Sequence, residues 1–178
     1  MSQIRTNSIV PAGGLVGNGG GIIQVVTTVK TNTQSFSHNG GSDADVAITG
    51  LSVTITPQSS SSKIWVMGQL TGCSGAQNTI YPILYRNGSK LTGSCGAASG
   101  SRRQCTASGS AELGSYMQSI PWFYLDSPAT TSATTYAIYC SSSSGSSREV
   151  RINYDQYDTN ASYSARTAST ITVMEVSG

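Results

Sequence analysis

Apolar residues alternate with polar residues along short stretches of the chain, and this pattern restricts the fold more than any other feature of the sequence. In the first stretch, Ile23, Val25 and Val29 point one way and polar residues point the other, as in a half-buried β-strand. Nowhere do apolar residues recur at helical spacing over three turns. Further strands are predicted at Val46–Ile55, Lys63–Leu70, Thr79–Arg86, Tyr116–Leu125, Thr134–Cys140, Glu149–Tyr154 and Ser169–Val176. About eight short strands separated by turns predict an all-β domain, a single β-sandwich of the jelly-roll type.

Glycine marks two irregularities in this pattern. The apolar phase slips by one residue at Gly50, which predicts a bulge or bend in that strand. Asn87 and Gly88 lie at the centre of a tight turn between polar residues, where both positions require a positive φ. The sequence therefore predicts a β-hairpin at this dipeptide.

The first twenty residues differ from the rest of the chain. They are rich in glycine, and their apolar residues are isolated rather than alternating. We expect residues 1–20 to form an extended docking arm and residues 21–178 to form the β-sandwich domain, since 178 residues suit one domain better than two. The apolar residues that would anchor the arm on a partner surface are Ile4, Ile9, Val10, Leu15 and Val16.

The charge of the chain is low and nearly balanced. Charged residues make up 10% of the sequence and the formal net charge is +2, whereas about 25% of an ordinary soluble domain is charged. A charge of this size does not steer nucleic acid or an anionic membrane surface. The longest apolar runs are also far too short to cross a bilayer. We therefore expect neither nucleic-acid binding nor membrane insertion.

The sequence offers little material for catalysis or for a cofactor. His38 is the one histidine, and it lies in a turn-like segment that predicts an exposed loop residue. Asp43 and Asp45 lack the spacing of a calcium loop and are predicted to be solvated. No motif brings two carboxylates together as a glycosidase requires. We predict no catalytic residue, no cofactor and no bound metal.

The chain has four cysteines, none of them in a C-x-x-C pair. Four cysteines allow three pairings. Cys95 and Cys105 flank a Gly/Ser-rich stretch and could be joined across it, whereas Cys140 lies in an apolar strand as a buried thiol would. The spacing favours free or partly paired cysteines over a metal site.

One segment combines aromatic, amide and carboxylate side chains where a strand passes into a loop. Tyrosine rings supply flat contact area at low entropic cost, and neighbouring Asp and Asn side chains bond sugar hydroxyls. This composition suggests a receptor-binding site for a host surface glycan. In the alternative interpretation, the tyrosines pack in the core or at a subunit interface. The candidate residues are Asn153, Tyr154, Asp155, Tyr157 and Tyr163.

Three stretches, taken in order, carry a resemblance to a known group of proteins. They are GGGIIQVVTTVKT at 19–31, VAITGLSVTITPQSSSSKIWVMGQL at 46–70, and FYLDSPATTSATTYAIY at 123–139 followed by STITVMEV at 169–176. In this order the chain resembles small virion proteins of tailed phages, especially marine and cyanobacterial ones, that are described as tail-fibre or minor structural proteins. The four cysteines and the segment Gly93–Gly109 depart from that group.

The resemblance implies a non-enzymatic virion structural protein of a bacteriophage. Such a protein is assembled in the host cytoplasm and exposed on the particle as a homotrimer, docked through its N-terminal arm to a tail, collar or major capsid protein. A fibre or spike module for host attachment is the first expectation, and a capsid decoration protein that stabilises the head is the alternative. A polysaccharide hydrolase is disfavoured because the sequence shows no carboxylate pair.

Overall fold

A computed structural model describes residues 21–39, 44–74, 78–110, 116–143 and 148–178 of the chain. Within these ranges the chain forms eleven β-strands and one short 3₁₀-helix at Thr92–Ser94. No helix in the described ranges is long and apolar enough to cross a membrane. The strands are β1 (Ile22–Lys30), β2 (Gln34–His38), β3 (Val46–Ile55), β4 (Lys63–Ser74), β5 (Thr79–Arg86), β6 (Ser89–Lys90), β7 (Gly109–Ser110), β8 (Gln118–Asp126), β9 (Thr134–Ser142), β10 (Arg148–Ile152) and β11 (Ser169–Val176).

The strands form two antiparallel sheets. In the first sheet, β4 is central: β8 lies along one side of it, and β11 followed by β1 lies along the other. Beyond β11, the end of β4 pairs with β10, which in turn pairs with β2. The second sheet has the order β3-β9-β5-β6, with β7 beside β5. The two sheets confirm the predicted all-β sandwich.

Most of the predicted strands are confirmed, and two agree with the structure to the residue, Thr79–Arg86 and Ser169–Val176. The bulge is confirmed as well, since Gly50 has a φ of 79° and the register between β3 and β9 shifts there. The hairpin follows the prediction, with φ values of 50° at Asn87 and 77° at Gly88. β6 is the second strand of this hairpin. The sequence pattern missed β2 and β7, which are short and largely polar.

The core lies between the two sheets and is built from the inward-facing residues of strands in both of them. Val66 and Ile171 of the first sheet and Leu84, Tyr136 and Ile138 of the second are fully buried in it. Apolar area removed from water in this way is the main favourable contribution to folding. Because each central strand buries one side in this core, the alternation of apolar and polar residues in the sequence predicted these strands correctly.

Strand β1 reverses the usual relation between polarity and burial. Its apolar residues Val25 and Val29 are 53% and 54% exposed, whereas Lys30 is 2% exposed. On the inner side, the Gln24 amide donates a hydrogen bond of 2.6 Å to the buried carboxylate of Glu175 on β11. The alternation of β1 is thus real, but Val25 and Val29 face away from the core, whereas Val26 packs against it.

The prediction that His38 is an exposed loop residue is wrong. His38 ends β2 and is fully buried, and the backbone N–H of Ser142 donates to its Nδ1 atom over 3.4 Å. The pattern around it was uninformative because Phe36 is the one large apolar residue of β2. Pairing of β2 with β10 buries the imidazole, and no local signal in the sequence reports that pairing.

Candidate binding site

A pocket of ≈ 310 Å³ opens beside the loop that joins β10 to β11. Three tyrosine side chains project at its rim: Tyr116 is 63% exposed, Tyr157 is 58% exposed and Tyr163 is 75% exposed. Met117 and Ala165 complete the apolar lining, and Asp155 lies at the base. We refer to these six residues as the tyrosine pocket.

Asn153 fixes the point at which the chain leaves β10. Its φ of 67° turns the backbone out of the strand, and asparagine tolerates this left-handed conformation better than most residues do. Its buried amide donates to the carbonyl oxygens of Lys30 (2.9 Å) and Asn32 (3.1 Å) and accepts a bond of 2.7 Å from the Ser169 hydroxyl. The loop is therefore attached to the ends of both β1 and β11.

Asp155 holds the loop that carries the tyrosines. One of its carboxylate oxygens accepts from the backbone N–H groups of Tyr157 (2.9 Å) and Asp158 (2.8 Å). The other accepts from the backbone N–H of Ala165 (2.9 Å), and the Ser164 hydroxyl lies within bonding distance of both oxygens. The carboxylate thus joins the two ends of the loop. This arrangement presents the tyrosine rings on a fixed backbone.

The hydrogen bonds to Asp155 predict an unusual pH dependence. The N–H groups of Asp158 and Ala165 and the Ser164 hydroxyl stabilise the charged form, which lowers the pKa of Asp155 from 3.8 to about 2. Because the folded value lies below the unfolded one, this carboxylate stabilises the loop above pH 3.8, and the contribution is lost as the pH falls towards 2. We expect NMR titration of the Asp158 amide to show a midpoint near pH 2; a midpoint near 3.8 would contradict the arrangement.

A second set of contacts within the loop involves Arg166. The guanidinium of Arg166 lies 5.3 Å from the centre of the Tyr154 ring and forms an ion pair with Asp158. A cation over an aromatic ring contributes about 0.5–1 kcal/mol at an exposed site. The Tyr154 ring is therefore used within the loop and does not line the pocket.

The structure divides the predicted receptor-binding residues into two groups. Tyr157 and Tyr163 are exposed at the rim of the pocket. Asn153 and Asp155 are buried: Asn153 bonds to residues at the ends of β1 and β11, and Asp155, at the same pocket, bonds to the loop itself. The sequence pattern predicts Tyr116 as the first residue of a strand and does not indicate its place in the pocket. Strand β8 begins at Gln118, so Tyr116 is free to join the pocket from a distant part of the chain.

The pocket provides binding chemistry rather than acid–base chemistry. Both oxygens of Asp155 are occupied by loop groups, and the Asp158 carboxylate is paired with Arg166. Among the residues that the structure describes, no three His, Cys, Asp or Glu side chains lie close enough to hold a metal ion. Flat rings around a shallow apolar cavity suit a non-covalent ligand.

The prediction that Asp45 is a solvated turn residue is wrong. Its side chain is 9% exposed, accepts a hydrogen bond of 2.9 Å from the Tyr85 hydroxyl and forms an ion pair of 2.8 Å with Arg103. Asp43 lies outside the described residues. The Asp45 contacts attach the segment Gly93–Gly109 to the second sheet, so this carboxylate serves packing.

All four cysteines are free thiols in the structure. Cys140 is fully buried in β9, and this burial raises the pKa of its thiol to about 12, as expected of an ordinary core cysteine. Cys95 and Cys105 lie on facing parts of one loop, where the N–H of Gly96 donates to the Cys105 carbonyl over 3.3 Å.

No protein-family model matches the chain, and no curated protein matches it. Among solved structures, it is similar to a chain in a structure of infectious bursal disease virus, Gx strain, with 16% identity over 97% of this chain and a TM-score of 0.44. It is also similar to a mutant VP2 protein of the same virus in derived T=1 particles, with 16% identity over 85% of this chain and a TM-score of 0.38. The chain spans 44% and 36% of those two chains.

Proposed function

We propose that this chain is a non-enzymatic structural protein of a tailed-phage particle whose tyrosine pocket binds a neutral carbohydrate of the host surface. The virion role is supported by the resemblance of its three ordered stretches to phage structural proteins. The binding role is supported by three exposed tyrosines around one pocket. In this proposal the chain is a fibre-type or spike-type module on the particle surface and is attached through residues 1–20. Those residues lie outside the described part of the chain.

The arrangement of the tyrosine pocket carries the proposal. Exposed aromatic rings lose little entropy on binding and contact the apolar face of a sugar, while their hydroxyls reach its polar rim. The carboxylate of Asp155 is committed to the loop, so the pocket presents no uncompensated charge to a ligand. A neutral glycan suits this combination better than an ionic ligand does.

Truncation of the pocket tyrosines tests the binding role. We expect Tyr157→Ala and Tyr163→Ala each to weaken glycan binding about tenfold, corresponding to roughly 1.4 kcal/mol of lost ring contact. Binding is measured by screening a glycan array and then titrating the best ligand by calorimetry.

Two controls make this test specific. The variant Tyr163→Phe keeps the ring and should retain most of the affinity, and an unchanged melting temperature shows that the loop is intact. The binding role is rejected if both alanine variants, correctly folded, bind host cells as well as the unaltered chain does.

The position on the particle is tested by counting copies. Quantitative mass spectrometry of purified particles is expected to find the chain at low copy number, as for a fibre or spike. Copies in the hundreds would instead identify a capsid decoration protein, and absence from purified particles would reject the virion role altogether.

A further inference from the structure

A second pocket lies beside the second sheet, and cations line it. It has a volume of ≈ 430 Å³, and the segment Gly93–Gly109 forms one of its walls. It shares no residue with the tyrosine pocket. We refer to this cavity as the basic pocket. Its polar side chains include Tyr81, Lys90, Ser101, Arg102, Arg103 and Gln104.

The segment that forms this wall is fixed to the second sheet. The backbone N–H of Thr106 donates to the Pro82 carbonyl over 3.0 Å, and the Thr106 hydroxyl accepts a bond of 2.9 Å from the N–H of Leu84. The ammonium of Lys90 on β6 donates a bond of 2.6 Å to the Gln104 carbonyl. Because Pro82 and Leu84 belong to β5, regular strands hold the wall of the pocket in place.

The basic pocket carries more positive charge than the carboxylates around it neutralise. Arg103 forms an ion pair of 2.8 Å with Asp45. Arg102 donates to the carbonyl and hydroxyl oxygens of Ser99 over 3.3 and 3.0 Å, and Lys90 donates to a backbone carbonyl. Within the described ranges, no carboxylate pairs with Arg102 or Lys90. Three cations and the one acid therefore leave two positive charges without a partner.

This concentration of charge is uneven for such a chain. Charged residues make up 10% of the sequence and its formal net charge is +2. Like charges that line one cavity repel one another, and the walls of a cavity strengthen the field at its centre. An anion in the basic pocket relieves this repulsion, so the pocket favours a negatively charged ligand.

We propose that the basic pocket binds an acidic saccharide, a sugar that carries a carboxylate or a sulfate ester. The Arg102 guanidinium and the Lys90 ammonium bind the oxyanion, and guanidinium groups suit such groups because they donate two parallel bonds. The Tyr81 and Ser101 hydroxyls bond the sugar hydroxyls. A cavity of this volume lies within the range of about 300–1,000 Å³ that is typical of small-molecule sites.

The same features disfavour nucleic acid as the ligand. Proteins that bind nucleic acid strongly make about 6–10 phosphate contacts along a basic surface. The basic pocket offers two cations that are not already paired, enclosed in one concavity. It therefore suits one or two oxyanions on a compact, hydroxyl-rich molecule. This ligand differs from the neutral glycan proposed for the tyrosine pocket, and neither site requires the other.

Calorimetric titration of the full chain with matched sugars tests the proposal. The ligands are a neutral galactose trimer, a galacturonic acid trimer, a galactose trimer with sulfate esters, and inorganic sulfate alone. We expect at least one acidic trimer to bind about tenfold more tightly than the neutral trimer does. The two acidic trimers distinguish carboxylate from sulfate ester. This preference is expected to weaken several-fold when NaCl is raised from about 0.1 M to about 1 M.

Single substitutions locate the binding at the basic pocket. Arg102→Gln is expected to abolish the preference for the acidic trimer, and its melting temperature should be unchanged because Arg102 bonds only to its own turn at Ser99. Lys90→Gln should act in the same way. Lys63→Gln is the matched control, since it removes one exposed cation that lines neither pocket. Tyr157→Ala is expected to keep the acidic preference, which separates this site from the tyrosine pocket.

Four results would overturn the proposal. The acidic and neutral trimers could bind equally, or the acidic trimer could bind Arg102→Gln as tightly as the unaltered chain. An equal loss in Lys63→Gln would indicate attraction by net charge alone. Inorganic sulfate that binds as tightly as the sulfated trimer would indicate a simple anion site without sugar recognition. If Lys90→Gln lowers the melting temperature through its lost bond to Gln104, Arg102→Gln decides the outcome.

Discussion

Replacing Asp126 by alanine is expected to destabilise the fold by about 3 kcal/mol, because the buried Tyr136 hydroxyl loses its acceptor and the Arg86 guanidinium, which is one third exposed, loses its ion pair. Asp126, at the end of β8, accepts hydrogen bonds of 3.0 and 2.8 Å from one guanidinium nitrogen of Arg86 on β5. The buried Tyr136 hydroxyl on β9 donates a further bond of 2.6 Å to it. Burial and this bond raise the pKa of Tyr136, so the phenol stays a neutral donor.

Thermal unfolding measures the effect of the Asp126 substitution. For a chain of this length, 3 kcal/mol corresponds to a melting temperature about 9 °C lower, provided that the protein concentration is held constant. Asp126→Asn keeps the volume of the side chain but not its charge, so its melting temperature is expected to lie between those of the alanine variant and the native chain. Glu149→Ala removes a more exposed ion pair with Arg151 and should cost no more than about 1 kcal/mol. Equal losses for Asp126→Ala and Glu149→Ala would contradict the contribution of the buried hydrogen bond between Tyr136 and Asp126.

Substitution of Asn153 by alanine is expected to cost about 3–4 kcal/mol and to abolish binding at the tyrosine pocket. The three side-chain hydrogen bonds to Lys30, Asn32 and Ser169 are lost, each worth roughly 1 kcal/mol. Alanine also tolerates the φ of 67° less well than asparagine does. Both effects release the point at which the loop leaves β10.

A glycine variant separates these two contributions. Asn153→Gly loses the same hydrogen bonds but has no Cβ to strain at a positive φ, so it is expected to be less destabilised than Asn153→Ala. Urea denaturation of the two variants gives the difference between their free energies of unfolding. Ligand titration measures how much binding at the tyrosine pocket each variant retains. If the urea concentration at the midpoint of unfolding is the same for Asn153→Ala as for the native chain, the side chain does not anchor the loop.

The sequence predicted the strands that bury an apolar side in the core. Leu51, Val53 and Ile55 of β3 illustrate this, since each is buried and each alternates with an exposed residue. β2 was missed because its burial depends on pairing with β10, a distant segment. Strand order was equally inaccessible, since it is set by contacts between segments far apart in the chain.

The candidate site was predicted only in part, because some of its residues come from distant segments of the chain. Tyr157 and Tyr163 share a local cluster of polar and aromatic residues, so composition was enough to select them. Tyr116 is brought to the pocket by the pairing of β8 with β4, which no local pattern reveals. Composition also could not show that Asp155 bonds to its own loop, because that requires the folded backbone.

Strand β1 shows where alternation misleads. A strand with Val25 and Val29 on one side would ordinarily bury that side, yet both point outward. The inner side instead accommodates Lys30, whose ammonium donates a bond of 2.9 Å to Asn32, and Gln24, whose amide pairs with Glu175. Alternation reports that a strand has two unlike sides, but not which side meets the core of its own chain.

Because Asp155 holds the loop through hydrogen bonds to its backbone, the shape of the loop does not depend on which side chains the loop exposes. Its bonds to Tyr157, Asp158 and Ala165 involve backbone N–H groups, which every amino acid except proline possesses. Position 157 and the exposed position 163 can therefore change without altering the backbone beneath them. A loop built in this way allows the side chains around the pocket to change by single substitutions, and it gives a protein engineer a place to install new binding specificities while the backbone stays intact.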